Sequence, residues 1–230
     1  MRNSLKETFD KIYCINLDSR PDKWELCVEE FKKYNILDLV ERVSAVYNSK
    51  NGYHGCTMSH IKCMELAKQN NYKKILILED DFTFLTRVWK DDEFIASDPS
   101  LYITRALNQL KDVSWDMLYF SYNIELHQDF IFYKEISDNL FQSTSQLTTG
   151  GYGLSDNVYN FILSCESLLK CKCIDVFYAR FLSHKFKCLN IKPMVIGQRN
   201  DIVSDIRIRE VKHKWVDRML KIYGRFYTSK

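Results

Sequence analysis

ILILEDDFTF, residues 75–84, sets four apolar residues directly before three consecutive acids. A short, continuous apolar run is typical of a β-strand that is covered on both faces. The end of this strand carries Glu79, Asp80 and Asp81. Their like charges repel one another, and burial near the core would remove their hydration. A bound cation would explain why the chain places three acids there.

Strand-like and helix-like segments alternate up to this run. In chain order they are the strand KIYCINL (11–17), the helix DKWELCVEEFKKY (22–34), the strand VERVSAV (40–46), the helix HGCTMSHIKCMELAKQNN (54–71) and the strand KKILIL (73–78). Ser19 and Pro21 form a plausible start for the first helix. This alternation predicts a parallel sheet with helices on its faces, and ligands bind beyond the carboxyl ends of such strands. Asn16, Asp18 and Arg20 follow the first strand, so we expect them beside the acids.

The rest of the chain continues the α/β pattern. The expected elements are a helix at 100–113, a strand at 115–122, paired strands of a smaller second sheet at 129–148, helices at 155–169 and 174–184, and a strand at 185–191.

Composition favours one large domain, or two closely joined ones, in a reducing compartment. The chain has 230 residues, of which 46% are hydrophobic, and neither a secretory signal nor an apolar run of membrane-spanning length is visible. It holds eight cysteines and no CxxC pair, and Cys171 and Cys173 have a poor spacing for zinc. We therefore expect reduced, mostly buried thiols and a cytoplasmic location, or its bacterial or viral equivalent.

The last 25 residues differ from the remainder. Residues 206–230 hold eight Lys or Arg against two acids, although the net charge of the whole chain is only +3. Val211, Trp215, Met219 and Ile222 share one helical face. We expect a domain at 1–205 and a basic amphipathic helix at 206–230, which either docks on the domain or lies on an anionic membrane. No nucleic-acid module accompanies the charge, so we expect no nucleic-acid partner.

Three interpretations of the acidic triplet remain open from the local sequence: a solvated strand end that caps the following segment, a hydrolase with paired carboxylates, and a divalent cation shared with substrate phosphates. The chain has no P-loop, GxGxxG, HExxH or GxSxG pattern. Because Asn16, Asp18 and Arg20 offer groups suited to a nucleotide and its diphosphate, the third interpretation is favoured.

Six ordered blocks resemble glycosyltransferase family 25, which includes lipooligosaccharide galactosyltransferases and collagen-modifying galactosyl- and glucosyltransferases. They are INLDSRPDKW (15–24), GCTMSHIKCMELA (55–67), ILILEDDF (75–82), QLTTGGYGLSDNVYNFI (146–162), IDVFYARF (174–181) and PMVIGQRNDIVSDI (193–206). The departures are small: Ser19 replaces a commonly basic residue, and Gly151 stands where a residue such as Ala is usual.

The resemblance implies a GT-A-like, Rossmann-related nucleotide-sugar transferase fold with a central, mostly parallel sheet, flanking helices and a small second sheet. It also implies inverting transfer of a hexose, galactose before glucose, from a UDP-sugar with Mn²⁺ or Mg²⁺. The acceptor would be a glycan, lipooligosaccharide or hydroxylysine-type hydroxyl. A non-catalytic carbohydrate- or partner-binding module of the same fold and a nucleotide-sugar phosphohydrolase are the alternatives.

The resemblance also suggests site residues. Asp175, at a helix start, is the first choice for the catalytic base and Asp156 the second, although either carboxylate could serve only as a helix cap. The expected metal ligands are Glu79, Asp81 and Asp205, with His184 and His213 as further options. The expected donor-binding residues are Asn16, Arg20, Gly55, Ser59, His60, Asp80, Gly150, Gly151 and Gln198; His60 is given no metal role.

Overall fold

The computed structural model describes residues 1–124, 132–165, 173–199, 202 and 205. The expected basic helix at 206–230, with His213, lies outside these residues, so that domain boundary stays a prediction. Within the described ranges, no helix is both long and apolar enough to cross a membrane.

One eight-stranded sheet organises the described chain. In spatial order its strands are β2 (Val40–Ser44), β1 (Lys11–Asn16), β3 (Lys74–Glu79), β12 (Gly151–Ser155), β7 (Met117–Tyr119), β13 (Cys188–Ile191), β10 (Leu140–Ser143) and β9 (Tyr133–Ser137). The strand pairings make β12 and β10 antiparallel to their neighbours, and the other strands share one direction. The predicted mostly parallel α/β sheet is therefore confirmed.

Small two-stranded sheets and helices surround this sheet. The small sheets pair β4 (Phe82–Phe84) with β14 (Ile196–Gln198), β5 (Arg87–Lys90) with β6 (Glu93–Ala96), and β8 (Asn123–Ile124) with β11 (Gln146–Leu147). The helices are α1 (Arg2–Thr8), α2 (Pro21–Lys33), α3 (Gly52–Gln69), α4 (Pro99–Gln109), α5 (Asp156–Ser164) and α6 (Ile174–Phe177). Helix α6 continues through a π-helical segment, Tyr178–Leu182, into the short helical turn Ser183–Lys185.

The central strands bury both of their faces, as the ILIL run predicts. Ile75 and Ile77 belong to one hydrophobic cluster, together with side chains of α3 and α5, whereas Leu76 and Leu78 belong to another, together with side chains of α2 and α4. Successive strand residues point to opposite faces, so a strand between two helical layers needs apolar residues at every position.

Two local expectations differ from the structure. The paired strands expected to form a separate sheet within 129–148 are β9 and β10, and they extend the main sheet because β10 pairs with β13. This pairing satisfies backbone groups that β13 would otherwise leave open at a buried edge. Pro21 does begin α2, as expected, but Arg20 precedes it as the N-cap and no side chain caps the helix, so Ser19 has no capping role.

Candidate active site

A cleft lies at the carboxyl edge of the sheet, beyond the ends of β1 and β3. It encloses about 700 Å³ of empty space, part of which is open to solvent. Parallel pairing sets Ile15 opposite Glu79 and so brings Asn16 beside the acidic triplet. The cleft is lined by Asn16, Lys23, His60 and the triplet, among others.

Glu79 is held by Thr149 and His60 on the sheet side of the cleft. Its Oε1 accepts a hydrogen bond from Thr149 Oγ1 and lies 3.1 Å from His60 Nε2. Burial alone would raise the pKa of Glu79, but the interactions with His60 and Thr149 outweigh it and lower the pKa. Glu79 is therefore a carboxylate that is ionised and fixed in place.

Asp80 is held by a buried amide and a buried ammonium group. Its Oδ2 accepts a 2.7 Å hydrogen bond from Asn16 Nδ2, and its Oδ1 lies 3.5 Å from Lys23 Nζ. Burial raises the pKa of Asp80, and the charge of Lys23 offsets this only in part.

Asp81 is the acid with unmet hydrogen-bonding capacity. Its Oδ2 accepts a 3.3 Å hydrogen bond from Gln198 Nε2, which the pairing of β14 with β4 brings alongside, whereas the buried Oδ1 has no partner in the described part of the chain. Burial, followed by the charge of Glu79, raises the pKa of Asp81 to about 7. A carboxylate in this state favours a proton or a cation.

Asp205 lies beside the triplet, but its own partners are cations. Its Oδ1 accepts from Arg20 and its Oδ2 from Lys23, each at 2.5 Å. Lys23 is only 2% exposed and thus links Asp205 to Asp80. No sequence pattern distinguishes Lys23, because a lysine in the first turn of an amphipathic helix usually faces water.

Ser59 and His60 lie inside helix α3 and not at its N-terminus. The helix begins at Gly52, so Ser59 and His60 lie about two turns inside it, away from its free N–H groups. Ser59 Oγ donates to the Gly55 carbonyl oxygen and accepts from Val46 N–H, both at 2.8 Å. A Cβ on Gly55 would lie 2.6 Å from the Val46 carbonyl oxygen. Gly55 and Ser59 therefore fix the loop after β2 against α3.

The two glycines after Thr149 differ in their surroundings. A Cβ on Gly151 would lie 2.9 Å from Ile196 Cδ1, so this glycine permits close packing inside the sheet. A Cβ on Gly150 would meet Ser121 Oγ at 3.6 Å, an ordinary contact. Gly150 instead contributes its carbonyl oxygen, which accepts a hydrogen bond from Glu79 N–H.

The two candidate bases lie at different edges of the sheet. Asp156 follows β12 where that strand ends beside Lys74, and it pairs with Lys73 at 2.8 Å. Since β3 separates Lys74 from Glu79, the structure does not bring Asp156 to the acidic triplet. Asp175 begins α6, and its Oδ1 accepts from Cys173 Sγ and Val176 N–H, both at 2.7 Å.

Asp175 does not line the cleft among the described residues, but its helix α6 lies near α3. The pKa of Cys56, a cleft residue of α3, is raised by burial, then by the charge of Glu79 and then by that of Asp175. His184, offered as a metal ligand, is instead exposed in the short turn after the π-helical segment.

Cys56 and Tyr152 are site residues that sequence reasoning missed. Cys56 approaches His60 and Glu79, and Tyr152 OH lies 2.8 Å from His60 Nδ1. The GCTMSH spacing was the available signal for Cys56, because residues four apart share a helix face. Tyr152 lies in a fully buried strand, where an aromatic residue normally indicates only core packing.

The solved structures that resemble this chain are distant from it in sequence. UDP-glucose pyrophosphorylase complexed with UDP-glucose is 7% identical and has a TM-score of 0.44, with 80% of this chain and 73% of that chain covered. Mannose-1-phosphate geranyltransferase from Thermus thermophilus is 7% identical with a TM-score of 0.43, and 81% and 75% of the two chains are covered. A197 from STIV is 11% identical with a TM-score of 0.43, and 86% and 97% are covered.

Sequence comparison is more informative. No curated protein matches the chain. The model of glycosyltransferase family 25 (LPS biosynthesis protein) matches residues 45–170, which is more than half of the sequence. The matched range includes α3, the acidic triplet at the end of β3, and β12. The chain therefore belongs to glycosyltransferase family 25.

Proposed function

We propose that this glycosyltransferase moves a hexose, galactose in preference to glucose, from a UDP-sugar to a hydroxyl group of a glycan or glycoprotein, with inversion at the sugar carbon and with Mn²⁺ or Mg²⁺. The observation that supports this most directly is the buried Oδ1 of Asp81, which has no partner in the described part of the chain and lies in a cleft beside two further carboxylates. Family membership supports glycosyl transfer, and the cleft supports an anionic, cation-dependent donor.

The donor set fits a hard divalent cation. Asp81, supported by Asp80, would hold it, because Mg²⁺ and Mn²⁺ prefer carboxylate oxygens and retain open positions for phosphate and water. Glu79 and Asp205, the other two predicted ligands, hydrogen-bond to His60, Thr149, Arg20 and Lys23, and each would have to exchange such a partner to bind an ion. When bound, the cation would supply positive charge to the departing diphosphate.

Arg20 and Lys23 are the side chains best suited to the donor diphosphate. Both form ion pairs with Asp205, which lies beside the acidic triplet, and Lys23 lines the cleft. Five carboxylates surround these two cations, namely those of Asp22, Glu79, Asp80, Asp81 and Asp205. The cleft would therefore repel an anionic donor unless a further cation were present. This charge balance supports metal dependence. Asn16, which donates to Asp80, would keep that carboxylate oriented.

Asp175 is the proposed base. Cys173 Sγ and Val176 N–H both donate to its Oδ1, and no hydrogen bond to its Oδ2 is found within the described ranges, so Oδ2 is available to accept a proton. In the proposed step, Oδ2 takes the proton of the acceptor hydroxyl, the acceptor oxygen forms the bond to the sugar carbon, and the bond to the diphosphate oxygen breaks on the opposite face. The same two donors to Oδ1 fix the carboxylate's orientation.

We further propose that residues 206–230 bring the enzyme to an anionic cytoplasmic membrane surface, where a lipid-linked acceptor would be available. The basic, amphipathic composition of this segment supports the proposal. Sedimentation with anionic liposomes tests it: the full chain should co-sediment more than a chain ending at residue 205, and equal sedimentation of both would reject the membrane role.

The transfer reaction is tested by incubating the protein with a panel of UDP-sugars and Mn²⁺, with and without hydroxyl acceptors, while free UDP is measured. We expect UDP-galactose to be consumed fastest, acceptor to increase UDP release, and chelation to stop it. Release that no acceptor changes would favour a phosphohydrolase. Absence of both turnover and Mn²⁺-dependent UDP binding would favour a non-catalytic binding module.

A further inference from the structure

Three potential metal ligands of different chemistry converge at the floor of the cleft. Cys56 Sγ, a ring nitrogen of His60 and a carboxylate oxygen of Glu79 all lie within 4.8 Å of one another. We propose that these residues bind a borderline transition-metal ion, with Zn²⁺ as the preferred occupant, at a site separate from Asp81. This inference goes beyond the transfer reaction and does not depend on it.

The spacing of the three groups suits chelation of one ion. Zn²⁺ takes nitrogen and carboxylate oxygen at about 2.0–2.2 Å and thiolate sulfur at about 2.3 Å. Two such ligands at a tetrahedral angle are about 3.4 Å apart, and His60 Nε2 lies 3.1 Å from Glu79 Oε1. Cys56 and His60 are four residues apart on α3, so the helix holds both ligands on one face.

The surroundings of His60 resemble those of a metal-bound histidine. A ligating imidazole normally donates its other N–H to a fixed partner, which sets the tautomer and the orientation of the ring. Here His60 Nδ1 lies 2.8 Å from Tyr152 OH, which in turn lies 3.2 Å from Tyr178 OH. Because each tyrosine hydroxyl can donate or accept, this chain of hydrogen bonds accommodates His60 Nε2 either as a donor to Glu79 or as a metal ligand.

The ligand types decide the class of metal. A thiolate and an imidazole favour Zn²⁺ and Co²⁺ over Mg²⁺ and Mn²⁺, which prefer ligands that are all oxygen. No hydrogen bond engages Cys56 Sγ in the part of the chain that the structure describes, and coordination would convert this thiol to a thiolate. Three protein ligands leave a fourth position, which would face the cleft and take water or a ligand oxygen.

Cobalt spectroscopy tests the site without any assay of transfer. The full chain, freed of metal by a chelator, is titrated with Co²⁺ in excess Mg²⁺. We expect one equivalent to produce intense tetrahedral visible bands and a sulfur-to-cobalt charge-transfer band, and Zn²⁺ to displace the Co²⁺. Cys56→Ser should lose the charge-transfer band, whereas Cys165→Ser, at the end of α5, should retain it. Circular dichroism confirms that each variant is folded.

Tyr152→Phe tests the positioning network separately. Loss of the hydroxyl should weaken Co²⁺ affinity about 10–100-fold while the charge-transfer band at saturation is kept. Tyr119→Phe is the matched control, since this buried hydroxyl contacts Met117 rather than His60. The site is rejected if the native chain gives no charge-transfer band, if the band survives in Cys56→Ser, or if Cys165→Ser removes it.

Discussion

Replacing Asp81 by Asn should raise the stability of the metal-free protein while it removes the activity. The pKa of Asp81 is raised by burial from its ordinary value of 3.8 to about 7. Between these two values the folded chain binds more protons than the unfolded chain, so the free energy of unfolding falls as the pH rises and levels off above about pH 7. One pKa unit corresponds to about 1.4 kcal/mol, so ionised Asp81 costs the metal-free fold about 4 kcal/mol.

The Asp81→Asn substitution would keep the shape of the side chain and remove the ionisation. We therefore expect the metal-free variant to be more stable than the native chain by up to about 4 kcal/mol near pH 8, or roughly 8–16 °C in Tm. The difference should shrink towards zero near pH 4, where the native carboxyl group is largely protonated in the folded state and close to half protonated in the unfolded state. Urea unfolding and thermal melts across this pH range, in the presence of a chelator, provide the measurement.

The same variant should lose the response to ligands. Saturating Mn²⁺ with UDP should stabilise the native chain, by about 2.7 kcal/mol at a hundredfold excess over Kd, and should leave Asp81→Asn nearly unchanged. Asp156→Asn is the control, because its pair with the exposed Lys73 lies at the other edge of the sheet. The inference that ionised Asp81 destabilises the metal-free fold would be refuted by either of two results. One is a variant less stable than the native chain at pH 8, and the other is a stability difference that does not vary with pH.

Further substitutions test the other parts of the site. Lys23→Met leaves two carboxylates without their buried cation, so urea unfolding should show a loss of about 3–5 kcal/mol, whereas Lys32→Met, exposed on the same helix, should change little. Gly151→Ala should lower the free energy of unfolding by about 1–3 kcal/mol through overpacking, whereas Gly150→Ala should be tolerated. Similar melting temperatures for the two variants would contradict the close packing at Gly151. Asp175→Asn should abolish transfer, while the affinity for UDP, measured by calorimetry, stays within about twofold of the native value. Transfer at a near-native rate would show that Asp175 is not the base.

The sequence was a good guide to the edge of the sheet where the site lies. Parallel strands end at a common edge, so Asn16 and the triplet could be placed together from strand order alone, and their contact is now seen between Asn16 and Asp80. It did not separate the positions of the two candidate bases. Asp156 and Asp175 both follow a helix-start pattern, yet the antiparallel direction of β12 carries Asp156 to the opposite edge.

The sequence by itself determined the mostly parallel sheet, its doubly covered central strand and the grouping of acids at one strand end. These features follow from side-chain periodicity and chain order, which act over a few residues. The tertiary structure alone decided which carboxylate oxygen is left without a partner among the described residues. Glu79, Asp80 and Asp81 are adjacent and chemically alike, but partners from distant segments (Thr149, Asn16 and Gln198) reach them through strand pairing. Such pairing depends on contacts between residues far apart in the chain, so no local pattern records it.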